Sequence, residues 1–265
     1  MKAPVFQPEW PESWKQALDN DNLEFFGNHK KDLAYYYHYK VRFAETIQAV
    51  KKYVPEGGSI LDIAASQGNF SLRLAELGYA VTWNDLRAEL ADYVKLKYES
   101  GNLQFLPGNV FDLNLDEKYD GIVITEVIEH TAHPDEFLQK VSEFLKPDGV
   151  IIMTTPNGAY FRNKLPRFSD CPDPSVYEEM QFKPDADGHI FLLYLDEIKT
   201  LSARAGLKIK EYKFYSNPLI NGHIKSRLIL PYLPEKLVMA SQKLVNLNKT
   251  LSEKVSLGTL AVFSR

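Results

Sequence analysis

From residue 59 onward the chain switches repeatedly between two patterns of apolar positions. The stretches "SILDIA" (59–64), "AVTWND" (80–85), "LQFLPG" (103–108), "YDGIVITE" (119–126) and "VIIMTTP" (150–156) are short and nearly unbroken in apolar character. Such runs, rich in Val and Ile, are expected of strands buried on both faces. Between them, "NFSLRLAEL" (69–77), "RAELADYVKLK" (87–97) and "PDEFLQKVSEFL" (134–145) repeat their apolar residues at helical spacing, and "KPDG" (146–149) reads as a turn. Strands alternating with helices imply βαβ units with right-handed crossovers. Upstream, residues 31–53 lack Gly and Pro and carry a helical pattern, ended by Pro55, Gly57 and Gly58. Residues 1–22, with three prolines, read as an irregular lead-in.

After Pro156 the alternation stops. Residues 157–190 hold four prolines and many polar groups, too long for an ordinary connection and typical of a lid or binding loop. A helix resumes at "YLDEIKTLSARAG" (194–206), followed by strand "LKIKEYKFYS" (207–216). The terminal "GTLAVFSR" (258–265), reached after a long excursion, is expected to insert antiparallel beside its predecessor. The fold class expected is α/β: a doubly wound, Rossmann-like, mainly parallel seven-stranded sheet with an antiparallel last strand, an N-terminal helical cap and a lid insertion. One domain is expected, with the cap at 1–54, a cofactor-binding core at 55–156, the lid at 157–193 and the remainder of the sheet with a helical insertion at 194–265.

Composition narrows the setting. The chain has 265 residues, 45% hydrophobic and 25% charged, and a net charge of −4, so general nucleic-acid binding is not expected. The single cysteine, Cys171, allows no internal disulfide. No apolar run approaches the ~20 residues that span a bilayer. The polar N-terminus is unlike a signal peptide, and a cytoplasmic protein is expected. One stretch stands out: residues 223–254 carry six Lys or Arg against two Glu, with apolar residues between. It reads as a solvated helix face or as a contact for a membrane surface or an anionic substrate.

In an open α/β sheet, ligands bind beyond the carboxyl ends of the strands. Asp62 lies in the first strand, and Ala64-Ala65-Ser66-Gln67-Gly68 turns into the next helix. Asp85, 23 positions after Asp62, ends the second strand, where a carboxylate can accept both ribose hydroxyls of a nucleoside. Each acid alone also reads as a helix cap. A pyrophosphate needs G-x-G-x-x-G, which is missing, so NAD is disfavoured. A phosphate-free nucleoside such as S-adenosylmethionine makes no such demand.

On these residues the chain resembles the class I S-adenosylmethionine-dependent methyltransferases. "LDIAASQGNF" resembles their first motif, with Ala64 and Ser66 at its first two glycines and Gly68 at the third. "VTWND" resembles the ribose-binding strand end, and "GNVFDL" the adenine loop with Asn109, Val110 and Phe111. "YDGIVITEVIEHTAHPDEFLQKVSEFLKPDGVIIMTTPN" resembles the fourth and fifth motifs almost continuously. The resemblance covers residues 40–160, and 189–215 more loosely. It implies S-adenosylmethionine held by Asp62, Ala64, Ser66, Gly68, Asp85, Asn109, Val110, Phe111, Thr125 and Glu126. If Ala64 or Ser66 needs positive φ, its Cβ costs roughly 1 kcal/mol or more.

"TEVIEHTAH" carries Glu126, Glu129, His130 and His133. A helical turn starting at Glu126 would put Glu126, Glu129 and His130 on one face. With His189 after the loop, this is an oxygen and nitrogen donor set suited to Mg, Mn, Fe or Zn. The pattern resembles the ubiquinone-biosynthesis O-methyltransferases and the metal-dependent small-RNA 3′-terminal 2′-O-methyltransferases. It implies a metal on Glu126, Glu129, His130 and His189 gripping two vicinal oxygens of the acceptor. Alternatively His130 or His133 reads as a general base without metal, with His130 and Glu129 as the catalytic residues, or Glu129 and His130 cap and orient the following helix. His133 reads as the start of that helix. His29, His38 and His223 show no partner in sequence, and Tyr35–Tyr37 with Tyr39 read as sheet packing or as a cover over the site.

The expected activity is O-methylation of a small-molecule hydroxyl on a catechol, sugar or other diol-like acceptor. An RNA 3′-terminal 2′-O-methyltransferase is the alternative within the class. Outside it stands a protein that binds S-adenosylmethionine without turning over; a dehydrogenase is more distant.

Overall fold

Strand β1 (Ser59–Ile63) lies inside the sheet, third from one edge. It pairs in parallel with β2 (Ala80–Asn84) on one side and β4 (Tyr119–Thr125) on the other. With β3 (Asn102–Phe105), β5 (Leu145–Pro156), β6 (Lys208–Tyr215) and β7 (Gly258–Ser264) the order is β3-β2-β1-β4-β5-β7-β6. The computed structural model describes residues 1–27, 31–113, 115, 117–181 and 188–265. β7 runs antiparallel to both β5 and β6, as expected.

Period-two alternation sends Leu61, Ile63, Ile122, Ile124, Ile151 and Met153 to one face. There α5 (Pro134–Glu143) and α6 (Leu195–Arg204) cover them with Phe137, Leu138, Val141, Ile198 and Leu201. Ile60, Val81, Val123, Val150 and Ile152 face the other way, against α2 (Leu33–Tyr53) and α3 (Asn69–Glu76). Cover on both faces is why the strands read as unbroken apolar runs. The order reverses at β1, where β2 and β4 diverge. A crevice therefore opens past the carboxyl ends of these strands.

Two readings need correction. "KPDG" is part of β5, whose pairing jumps from Tyr119↔Leu145 to Gly121↔Val150 across a bulge. A Cβ at Gly149 would sit 2.8 Å from the Tyr119 carbonyl oxygen, so the bulge requires glycine. The second concerns the N-terminus. Residues 1–22 are not all irregular: α1 (Glu12–Asp21) follows Pro11 and runs into a π-helical turn, Asn22–Phe26. Proline suits a helix start. Ala17 and Leu18 are buried with Trp10 against α4 (Leu90–Lys97), and Trp10 and Trp14 meet Tyr93 edge-on at 6.0 Å. The stretch between β6 and β7 carries α7 (Glu235–Asn246) and α8 (Lys249–Val255).

Candidate active site

The loop after β1 is built on left-handed backbone. φ is +55° at Ala64, +48° at Ser66 and +72° at Gly68. All three motif positions therefore adopt the conformation that glycine tolerates best, and two of them do so with a side chain. Gly68 cannot follow them, because a Cβ there would meet both methyls of Val94 at 2.8 Å. The loop is strapped by its neighbours. Ser66 N donates to Asp85 Oδ2 at 2.8 Å, and Trp83 Nε1 donates to the Ser66 carbonyl at 3.0 Å. Lys97 Nζ donates to the Gln67 carbonyl at 2.8 Å.

Asp62 is buried beneath this loop. Its Oδ2 accepts from Ser71 Oγ at 2.5 Å, while Oδ1 has no partner. Burial pushes its pKa up to about 7, against the opposing effect of the Ser71 hydroxyl. A buried carboxylate oxygen without a donor is an unfilled place for a cationic or N–H group. Asp85 is also buried, but its oxygens are engaged: Oδ1 accepts from Arg87 N at 2.9 Å and from Arg87 Nε at 3.1 Å. Arg87 also donates to Ser66 Oγ at 3.0 Å, so this arginine spans both residues expected at the cofactor.

A cavity of about 250 Å³ lies beyond the ends of β1 and β2. Ala64, Asn84, Leu86, Asn109, Val110 and Phe111 form one side, and Val127, Thr131 and Phe137 the other. Asp62, Ser66, Gly68, Asp85, Thr125 and Glu126 are outside this wall. The Asn109 side chain is spent locally, accepting from Phe111 N at 3.2 Å and donating to Asp112 at 2.9 Å. Val110 is buried, and Phe111 stands edge-on to Phe137 at 5.6 Å. Gln181, from the segment after β5, also lines the cavity, and its Oε1 accepts from Ala132 N at 2.9 Å. Nearby, His133 Nε2 lies 2.8 Å from Glu178 Oε1. Residues 182–187, within the expected lid, lie outside the described residues, as does His29.

The acid and histidine stretch departs from the expected face. No helical turn begins at Glu126, whose φ is +56°; a 3-10 turn covers only Ile128–His130. The backbone reversal separates Glu126 from the others. Glu126 Oε1 accepts from Thr154 Oγ1 at 2.9 Å and from Tyr215 OH at 3.3 Å, and Oε2 lies 3.3 Å from Arg42 Nη1. The four-ligand set therefore contracts to three. Donor atoms of Glu129, His130 and His189 lie within 4.8 Å of one another, and Glu126 is not among them. Glu129 is fully buried; Thr155 Oγ1 donates to its Oε2 at 3.0 Å, and Oε1 has no partner. Burial, then the charge of Glu126, raises its pKa well above the carboxylate range. His130 Nδ1 lies 3.0 Å from the Gly188 carbonyl, which can only accept, so Nδ1 is the donor of this bond. The rings of His130 and His189 meet at 4.9 Å.

Of the polar groups packed here, Arg42, Asp21 and Glu24 were not singled out from the sequence, and His38 was read as having no partner. Arg42 carries a buried, unpartnered Nε above Glu126. His38 stacks on Tyr215 at 5.9 Å with an unpartnered Nδ1, and burial lowers its pKa to about 4. Tyr35, His38 and Arg42 recur at i, i+3 and i+7, so helical spacing marked them as one face. Asp21 and Glu24 gave no signal. They come from the N-terminal segment and accept from Asn69 Nδ2 at 2.9 and 2.8 Å.

Residues 35–212 match the family model described as a methyltransferase domain, well over half of the chain. The chain belongs to that family. The methyltransferase domain is similar to the mitochondrial ubiquinone biosynthesis O-methyltransferase of Schizosaccharomyces pombe, 33% identical over 105 residues, covering 37% of this chain and 38% of the relative. It is 31% identical over 107 residues to the ubiquinone biosynthesis O-methyltransferase of Xanthomonas axonopodis pv. citri, covering 39% and 45%. The chain thus spans less than half the length of these relatives. Among solved structures, the S-adenosylmethionine-dependent methyltransferase of Mesorhizobium loti superposes with a TM-score of 0.57 at 14% identity, over 82% of this chain and 96% of that one. At that identity the likeness carries the fold. The sheet order and the antiparallel β7 give this methyltransferase-family domain the doubly wound fold of that solved neighbour.

Proposed function

We propose that the chain transfers a methyl group from S-adenosylmethionine to a hydroxyl of a small-molecule acceptor. The observation that carries the reading is the group formed by Glu129, His130 and His189 past the end of β4, one strand from the loop after β1. When bound, the cofactor supplies an electrophilic methyl on a positively charged sulfur. The unpartnered Asp62 Oδ1 fits its ammonium, and the cavity between Ala64 and Phe111 fits its adenine. Asp85, now bonded to Arg87 and Ser66 N, would hold the ribose, and Thr125 and Glu126, with Arg42 against Glu126, would hold the methionine end. His130 Nε2, with Glu129 beside it, then faces the acceptor, and His130 takes the hydroxyl proton while the oxygen attacks in line.

The three donors support a second reading, in which a divalent cation on Glu129, His130 and His189 lowers the hydroxyl pKa. Labelled methyl transfer from S-adenosylmethionine to catechols, sugars and RNA ends, with and without EDTA, tests both. Transfer to a small hydroxyl supports the first reading, and its loss in EDTA with recovery on Mg, Mn or Zn supports the second. Transfer to RNA alone, falling steeply with salt, or cofactor binding with no transfer, overturns the proposal.

A further inference from the structure

The stretch between β6 and β7 takes no part in the proposed chemistry, yet its outer surface differs from the rest of the chain. α7 turns two faces outward from its axis. Val238 and Gln242 are buried. On the opposite side, Leu237 and Leu244 recur at i and i+7, and Leu247 extends the same stripe just past the helix. Leu244 is 70% and Leu247 84% exposed. The turns before α7 continue the pattern, with Leu228 70% and Tyr232 83% exposed. Large apolar side chains grouped in this way on a surface mark an interaction site.

Charge identifies the partner. Lys236 and Lys243 border the leucine stripe, and Lys225 and Lys249 stand at its two ends. Among the described residues none of these four lysines is in an ion pair, whereas Glu235 is engaged by Lys40. A chain of net charge −4 thus shows an unneutralised cationic rim around exposed leucines. Backbone strain reinforces the point. Ile224 and Lys225 hold φ of +52° and +65° in succession, with Ile224 left exposed. A β-branched residue is poorly suited to that region, and such strain persists where a site requires it.

We propose that this face, Ile224 to Leu251, docks on the surface of an anionic lipid bilayer. Leucine side chains enter the headgroup boundary while the lysines meet lipid phosphates. A second copy is the poorer occupant, because a two-fold contact would bring two copies of the same unneutralised cationic rim together.

Co-sedimentation of the full chain with vesicles of phosphatidylcholine, with and without phosphatidylglycerol, tests the proposal. Binding is expected to the anionic vesicles alone and to weaken with salt. Lys236→Glu with Lys243→Glu, and separately Leu244→Ser with Leu247→Ser, each lower the partition coefficient about tenfold or more. The melting temperature and S-adenosylhomocysteine binding of both variants are expected to match the wild type, which separates loss of docking from loss of fold. Absence of binding to anionic vesicles, equal binding to neutral ones, or unchanged binding by both variants overturns the proposal. So does a wild-type dimer in analytical ultracentrifugation that the same substitutions dissociate.

Discussion

Ala64 and Ser66 hold left-handed backbone without being glycine, and that cost is measurable residue by residue. A Cβ in this region costs about 1–2 kcal/mol, against the 0.5–1 kcal/mol by which glycine loosens the unfolded chain. Ala64→Gly is therefore expected to stabilise the protein by roughly 0.5–1 kcal/mol in urea titrations. Ser66→Gly gives less, because the serine hydroxyl also accepts from Arg87 and donates to Gln67. Asp62 gives a pH signature. Its pKa of about 7 lies above the ordinary 3.8, so the folded chain holds the proton more tightly than the unfolded one. The stability this confers is full below about pH 4 and is lost as pH rises through 7. The stability of Asp62→Asn should lack that fall. If a cofactor ammonium pairs with Asp62, S-adenosylhomocysteine binding near pH 6 releases a proton, seen as a buffer-dependent calorimetric enthalpy that the Asn variant loses.

At the scale of elements, α1 is fastened to the loop after β1 by a buried polar knot. Lys97 and Asp21, both fully buried, pair at 2.7 Å, and Tyr93 OH donates to Asp21 at 2.7 Å. Glu24 accepts from Gln67 Nε2 at 2.9 Å and from Tyr35 OH at 2.7 Å. Removing one partner of a buried pair leaves the other charge in the interior, so Lys97→Met is expected to cost about 3–5 kcal/mol in chemical denaturation. Adding Asp21→Asn should recover part of that loss; a double variant less stable than Lys97→Met would contradict the account. This knot also marks a limit of reading sequence. α1 was hidden because it buries only a few side chains just after a proline-rich start, and its partners lie far along the chain. The strands were legible, since burial on both faces leaves Val- and Ile-rich runs such as Gly121–Ile124. The face of Glu126 was not, because a single positive φ undoes helical spacing, and nothing in "TEVIEH" announces one.

For the molecule as a whole, the mainly parallel seven-stranded sheet and the antiparallel β7 followed from alternation and from the long excursion before the last strand. The crevice at the end of β1 followed from the doubly wound class, while the strand order itself comes from the structure. What could not be read was which polar groups turn inward: His38, Arg42 and Tyr215 come from elements that tertiary packing alone brings together with Glu126. Two groups stand past neighbouring strands: a glycine-poor loop with a buried acid after β1, and Glu129, His130 and His189 gathered about the turn after β4. The most direct test is the rate of labelled methyl transfer to a hydroxyl acceptor by Glu129→Gln and His130→Ala, with S-adenosylhomocysteine affinity determined on the same samples. Transfer slowed about 10²-fold or more, with affinity held at the wild-type value, is the expected result. Transfer at the wild-type rate in both variants, or loss of cofactor affinity in step with activity, would contradict it.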